Sequence, residues 1–200
     1  ILQTLLIARI PFFKYLQNPS WSESSINFSG SFKEFHSNII EIIINWAYSG
    51  SLTITQNTVQ CLMKTASYLL LESIVDECYM FMRRRIQYDD ALPLLHFCRA
   101  IDYNKNDESL IKFIESNFLL ISYTPDFLEL SIDDLVNIIN RNSLNIDNDE
   151  QVLDAVIRWI GKDESRRKLV PRLLKSVQCP RLSSSFLNDI VEKNKWIMNI

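Results

Sequence analysis

Between Ile39 and Phe81 the apolar residues recur at intervals of three and four, which confines this stretch to helices that each bury one face. Ile40, Ile43, Ile44 and Ala47 form one face. Val59, Leu62, Met63, Ala66, Leu69 and Leu70 form a second, continued by Val75, Cys78 and Phe81. Between them lies the turn Ala47-Tyr48-Ser49-Gly50-Ser51-Leu52, with glycine where a left-handed residue ends a helix at least strain. Faces of this width must be covered by other parts of the chain. Only three Gly occur in 200 residues, so hairpin-rich sheets and Gly-rich phosphate loops are hard to build and helices are favoured throughout.

At 47% hydrophobic and 22% charged, the chain has enough apolar material for one large or two small domains with real cores. A formal net charge of -3 offers no broad cationic field, so a nucleic-acid partner is not expected. No apolar run is long enough to cross a bilayer and no charged leader precedes a short apolar segment, so the expected address is cytoplasmic, or alternatively nuclear or cytoskeletal. The chain begins with Ile, which reads as a piece of something longer.

Cys61, Cys78, Cys98 and Cys179 lie far apart, and His36 and His96 are not grouped with them, so a zinc or redox site is not expected and the cysteines read as small apolar side chains. No nucleophile–base pair, Gly-Lys-Ser/Thr or His-Glu-x-x-His pattern occurs. Neither catalytic residues nor a cofactor are therefore expected. The acidic tracts Asp133-Asp134 and Asp147-Asn148-Asp149-Glu150 sit where helices should begin, and read as capping and dipole compensation rather than metal ligands.

Along the chain, residues 1 to 16 read as a helix whose geometry changes at Pro11, and residues 17 to 34 as a Ser- and Asn-rich loop containing a strand-like Ile26-Asn27-Phe28. Ser51-Leu52-Thr53-Ile54 is a second, weaker strand signal. Ser37 or Asn38 is placed to cap the next helix, Thr55 the one after it, and Asp89 or Asp90 a helix bearing Leu94, Leu95, Cys98 and Ile101. Arg83-Arg84-Arg85 fall in the last turn before that boundary, where cations favour the helix dipole. Asp107 opens a helix running through Leu110, Phe113, Ile114 and Phe118, and Ser131-x-x-Asp134 is a capping signature ahead of Leu135, Ile138 and Ile139. Val152, Ala155, Val156, Trp159 and Ile160 give one of the cleanest stripes, with Trp159 as a core aromatic. Leu169, Leu173, Leu174 and Val177, then Phe186, Leu187 and Ile190, mark the last helices; about nine are expected in all, packed as antiparallel neighbours.

Trp21 stands apart, in the loop Asn18-Pro19-Ser20-Trp21-Ser22-Glu23-Ser24, where it has no helical stripe to join. An exposed aromatic beside an acid is an anchor of the kind protein interfaces use, although a ring folding down onto nearby helices would fit the spacing equally well.

Three tracts in the first half, Leu5-Leu6-Ile7-Ala8-Arg9-Ile10-Pro11-Phe12-Phe13, Ile43-Ile44-Asn45-Trp46-Ala47-Tyr48-Ser49-Gly50 and Ala66-Ser67-Tyr68-Leu69-Leu70-Leu71-Glu72-Ser73, resemble a BTB (POZ) domain. In the second half Phe113-Ile114-Glu115-Ser116-Asn117-Phe118, Phe127-Leu128-Glu129-Leu130, Val156-Ile157-Arg158-Trp159 and Leu173-Leu174-Lys175-Ser176-Val177-Gln178-Cys179-Pro180-Arg181-Leu182 resemble a BACK domain. In this order the two resemble kelch-like proteins, the substrate adaptors of cullin-3 ubiquitin ligases.

The fold implied is mainly α. Residues 1–86 would be the C-terminal part of a BTB/POZ domain, an α/β fold whose early strands and homodimer-forming segment fall before Ile1. Residues 87–200 would be an all-helical BACK domain. The resemblance further implies a non-catalytic adaptor that binds cullin-3 and reads its ubiquitination substrate through a kelch propeller beyond Ile200. Its cullin contact would be the hydrophobic-x-Glu motif Trp21-Ser22-Glu23, with Phe13 in the helix before it, Tyr48 at the Tyr-x-Gly turn, and residues 88 to 118 completing the groove. An aromatic at Trp21 departs from the family's more usual Met, Leu or Phe and demands a roomy pocket. A BTB–BACK scaffold of the cytoskeletal or transcriptional kind, without a cullin, is the alternative.

Overall fold

The computed structural model describes residues 2–16, 35–103 and 107–176, together with Ser183, Ser185, Asn188, Ile190 and Glu192. It divides into two compact units, Ile1–Ile86 and Gln87–Ile200.

In the first unit α1 (Leu2–Arg9) and α2 (Pro11–Leu16) replace the single helix expected over residues 1 to 16. Pro11 opens α2, where its missing N–H removes no intrahelical bond. Ile10, at the joint, is buried. Then come α3 (Ser37–Ser49), α4 (Val59–Tyr68) and α5 (Glu72–Arg83). Of the expected α3 stripe Ile43 and Ala47 are buried while Ile40 and Ile44 are only half-buried, Ile39 completing the buried face instead; Gly50 closes the helix at φ 75° as its N–H reaches the Trp46 carbonyl at 2.8 Å.

The N-terminal caps differ from expectation. His36, not Ser37 or Asn38, precedes α3, and its side chain makes no capping bond. Thr55 instead starts a turn: its carbonyl accepts from the Thr58 and Val59 amides and its hydroxyl meets that of Thr58 at 2.8 Å, so α4 begins four residues later, at Val59. Over Ser51 to Ile54 exposure alternates, with Leu52 and Ile54 turned partly inward, yet no strand is formed among the described residues. An extended segment without a neighbouring ladder has nothing to pair with. Ile26-Asn27-Phe28 lies outside the described residues.

Helices α4 and α5 pack together through Leu62, Met63 and Ala66 on one side and Ile74, Val75, Cys78 and Tyr79 on the other, all buried. Phe81, expected on that stripe, is only half-buried, with the Arg85 guanidinium 4.2 Å above its ring. The link between α4 and α5 is a Schellman turn: the Leu71 amide bonds the Ala66 carbonyl at 2.8 Å and the Leu70 amide that of Ser67 at 3.1 Å. Glycine usually occupies the left-handed position, but here it is Leu70, at φ 59° and 48% exposed. Because that side chain contributes little burial, Leu70→Gly is expected to stabilise the unit by roughly 0.5–1 kcal/mol, the relief of left-handed strain exceeding the added unfolded-state entropy. Urea denaturation checks this, and Leu70→Ile should move the midpoint the other way.

The second unit contains α6 (Tyr88–Ala100), α7 (Asp107–Ser116), α8 (Phe118–Ser122), α9 (Pro125–Leu128), α10 (Ile132–Ile139), α11 (Asp149–Gly161), a 3-10 helix (Glu164–Leu169) and α12 (Val170–Ser176). The described helices are shorter and more numerous than the nine expected. One reason is Asn117, whose side-chain amide donates to the Phe113 carbonyl at 2.8 Å and ends at Ser116 the helix expected to run on to Phe118. Ahead of α6, Gln87 holds the cap position, and Asp90 inside the first turn accepts the Gln87 amide at 3.4 Å.

Side chains cap α9 (Thr124), α10 (Ser131, as its motif predicts), α11 (Asn148) and the 3-10 helix (Asp163). The core gathers Phe118 and Phe127, edge to face at 6.1 Å, around α11, whose Val152, Ala155, Val156, Trp159 and Ile160 are all buried. Leu173 and Ile190 are buried too, whereas the Leu174 side chain, Val177, Phe186 and Leu187 lie outside the described residues.

Candidate protein-interaction sites

Trp21, Ser22 and Glu23 lie outside the described residues, within the stretch 17–34 between α2 and Phe35. Phe13 is half-buried on α2 beside Phe12, the two rings edge to face at 6.0 Å. Phe12 packs on Tyr68, at the end of α4, with 5.1 Å between ring centroids; Phe35, just ahead of α3, packs on the same Tyr68 ring, also at 5.1 Å. Phe12 and Phe35 thus meet on one tyrosine ring.

Tyr48 is elsewhere. It is 41% exposed in the last turn of α3, whereas Phe35 adjoins the first, and twelve residues of helix separate those ends by roughly 18 Å. The structure therefore unites Phe13 with Phe12, Phe35 and Tyr68, and leaves Tyr48 at the far end of α3. The roles of Tyr68 and Phe35 do not follow from spacing. The available signal is the placing of aromatic residues at both edges of a Ser- and Asn-rich tract.

In the second unit, α6, α7 and α10 enclose a groove of about 400 Å3. Leu95, Ile111, Ile114 and Ile138 supply its apolar lining, and two ion pairs border it. Glu115, only 4% exposed, accepts from Arg141 at 3.0 Å and from the Ser143 hydroxyl at 2.8 Å, while its carbonyl takes the Asn145 amide at 2.9 Å. A buried carboxylate met by a cation and a hydroxyl is compensated, and here it fastens the 141–145 loop to α7.

On the other side Asp134 receives Arg99 from α6 and the Ser131 hydroxyl at 2.7 Å. Partial burial raises the Asp134 pKa, but the bonds from Ser131 and Arg99, with the charges of Arg99 and His96, outweigh it and hold the carboxyl below its ordinary value. A depressed folded-state pKa means that the unfolded chain binds the extra proton, so the stabilisation is present above the unfolded value near pH 4 and is lost as pH falls through the folded one. Asp134→Asn is expected to lower stability by up to about 1 kcal/mol at pH 7, with the difference vanishing in strong acid. Urea titrations at the two pH values measure it.

Asp133 pairs with Arg172, Asp147 accepts the Gln151 side chain and Asn148 caps α11. No group of three His, Cys, Asp or Glu side chains able to hold a metal ion occurs among the described residues. Cys78 and Cys98 are buried and Cys61 is half-buried; burial, with Glu77 nearby, pushes the Cys78 thiol up to about 12. No described helix is long and apolar enough to cross a membrane.

A mainly helical fold of two units, the first carrying the Tyr-Ser-Gly turn and the second entirely helical where described, is the build of a BTB–BACK protein. Comparison with known families agrees: the BTB/POZ domain model matches residues 2–86 and the BACK (BTB And C-terminal Kelch) model matches residues 91–192. The chain belongs to the BTB–BACK family of kelch-like proteins. It is 29% identical to kelch-like protein 28 of Mus musculus over 196 residues, covering 98% of this chain and 34% of that protein. Against kelch repeat and BTB domain-containing protein 8 of Danio rerio it is 28% identical over 193 residues, covering 94% and 31%, and against kelch-like protein 7 of Homo sapiens 25% over 198 residues, covering 98% and 34%. The chain spans about a third of the length of these relatives.

Proposed function

We propose that this chain is the cullin-binding part of a substrate adaptor for a cullin-3 RING ubiquitin ligase, itself without catalytic activity. The observation that carries the reading is the succession of a BTB and a BACK domain within one 200-residue chain. On this reading Trp21 and Glu23 provide the anchor, with Ser22 between them and Phe13 and Tyr48 as flanking contacts. The groove between α6, α7 and α10, which the 88–118 stretch that should complete the cullin site lines on one side, supports it: an apolar floor with a charged border suits a peptide segment. A BTB unit ending at residue 86, a homodimer formed through further BTB sequence, a kelch domain that reads the substrate, and a cytoplasmic, nuclear or cytoskeletal address belong to the same proposal.

The test is a calorimetric titration of the chain with the amino-terminal domain of cullin-3. Saturable binding at one cullin per chain supports the adaptor. A chain that is folded by circular dichroism and gives no binding heat, and that also fails to co-elute with the domain on gel filtration, points instead to a cullin-independent scaffold.

A further inference from the structure

We infer that the outer face of α5 pairs two copies of this chain about a two-fold axis beside Met80. The inference goes beyond the cullin reading and does not depend on it. Its surface lies within the described residues and is separate from any homodimer formed through further BTB sequence. Ile54, Met80 and Phe81 supply the apolar lining of an open cleft of about 630 Å3, and Met80 is 44% exposed. Glu77 stands one turn before Met80 and Arg84 one turn after it, both exposed and both bordering the cleft. The Arg84 amide bonds the Met80 carbonyl at 3.1 Å, which carries the helical path past Arg83 and sets the three side chains on one face.

The helix dipole accounts for a cation at that end of α5. It does not account for an exposed methionine set between opposite charges. Ion pairs within a helix join residues three or four apart, whereas Glu77 and Arg84 are separated by about 10 Å along the axis and are out of each other's reach. Neither forms an ion pair with any other described residue. An occupant of the cleft must therefore bring a cation to Glu77, an anion to Arg84 and apolar surface between them. A uniformly acidic or basic peptide gains at one end and is repelled at the other. A second α5 running antiparallel has the required order: under two-fold symmetry Glu77 of each copy meets Arg84 of the other, and Met80 meets Phe81. An apolar centre with a charged rim is the anatomy of a protein interface, and one helix face is small enough that the dimer should be transient.

The experiment is sedimentation equilibrium of the chain at low salt, over a concentration series reaching high micromolar. It compares wild type, Glu77→Arg, Arg84→Glu and an equimolar mixture of the two variants, each confirmed as folded by circular dichroism. Wild type should dimerise reversibly, and more weakly as salt is raised. Each reversal turns both symmetry-related attractions into repulsions, so either variant alone should associate about tenfold more weakly or less. In the mixture each introduced arginine faces an introduced glutamate while the native pair is kept, so association should return to wild-type strength. A wild-type chain that remains monomeric would overturn the proposal. So would a dimer that neither reversal weakens, or a mixture that associates no better than its components.

Discussion

Replacing Trp159 by alanine is expected to cost the second unit about 3–5 kcal/mol, a large part of the 5–15 kcal/mol that keeps a domain of this size folded. The indole is 2% exposed and its N–H donates to the Leu130 carbonyl at 2.9 Å. The Arg166 guanidinium lies 4.0 Å above its ring while donating to the carbonyls of Leu128 at 2.8 Å and of Trp159 itself at 2.9 Å. One side chain thus fills the core, satisfies the Leu130 carbonyl in the link between α9 and α10, and seats the arginine that joins α9 to the 3-10 helix. Its removal opens a cavity and orphans a buried carbonyl together. Trp159→Phe keeps much of the ring packing and forfeits mainly the hydrogen bond, so roughly half the effect is expected. Urea denaturation followed by far-ultraviolet circular dichroism distinguishes the two variants, and equal destabilisation in both would mean that the hydrogen bond, rather than the ring, dominates.

The second large effect concerns binding. If Trp21 is an aromatic anchor, Trp21→Ala should weaken cullin-3 binding by about 2 kcal/mol or more, about thirtyfold or greater. Glu23→Ala should weaken it by about tenfold or more, because truncating one member of an interfacial charge pair also leaves its partner unmatched. The melting temperature of each variant is followed alongside, and a loss of affinity at an unchanged melting temperature is the expected result. Wild-type affinity in both variants, measured by titration, would remove Trp21-Ser22-Glu23 from the interface.

Periodicity reveals most of the helices because burial imposes it. The stripe of α11 follows directly from which residues are oily, those of α3 and α4 only in part, since Ile40 and Ile44 are half-buried and Leu70 is exposed; Gly50 and Ser131 mark helix ends through backbone chemistry that those residue types favour. Competition between neighbouring groups is less legible. Ser37, Asn38 and Thr55 each have the right chemistry for a cap, but the choice among adjacent candidates depends on where the preceding chain arrives. Asn117 interrupts a helix whose apolar spacing continues, its side-chain amide sharing the Phe113 carbonyl with its own backbone N–H. Leu70 and Asp102 are left-handed without being glycine, φ 59° and 57°, at turns whose hydrogen bonds sequence does not display.

The interaction sites are legible only in part, and for a related reason. The aromatic residues on either side of the Trp21 tract are visible in sequence, but the packing of Phe12 and Phe35 on Tyr68 is a tertiary fact. The same holds for the ion pairs beside the α6–α7–α10 groove, which join residues 26 and 35 positions apart.

Amide hydrogen exchange across the whole chain, with and without the cullin-3 amino-terminal domain, bears most directly on the claim that the helical stripes are used up in internal packing while the early loop is left to bind. The account predicts slow exchange in α4 and α11 that the partner does not alter, and new protection within residues 17–34, accompanied by α6 and α7. Protection that misses residues 17–34, or no change anywhere at saturating partner, would contradict it.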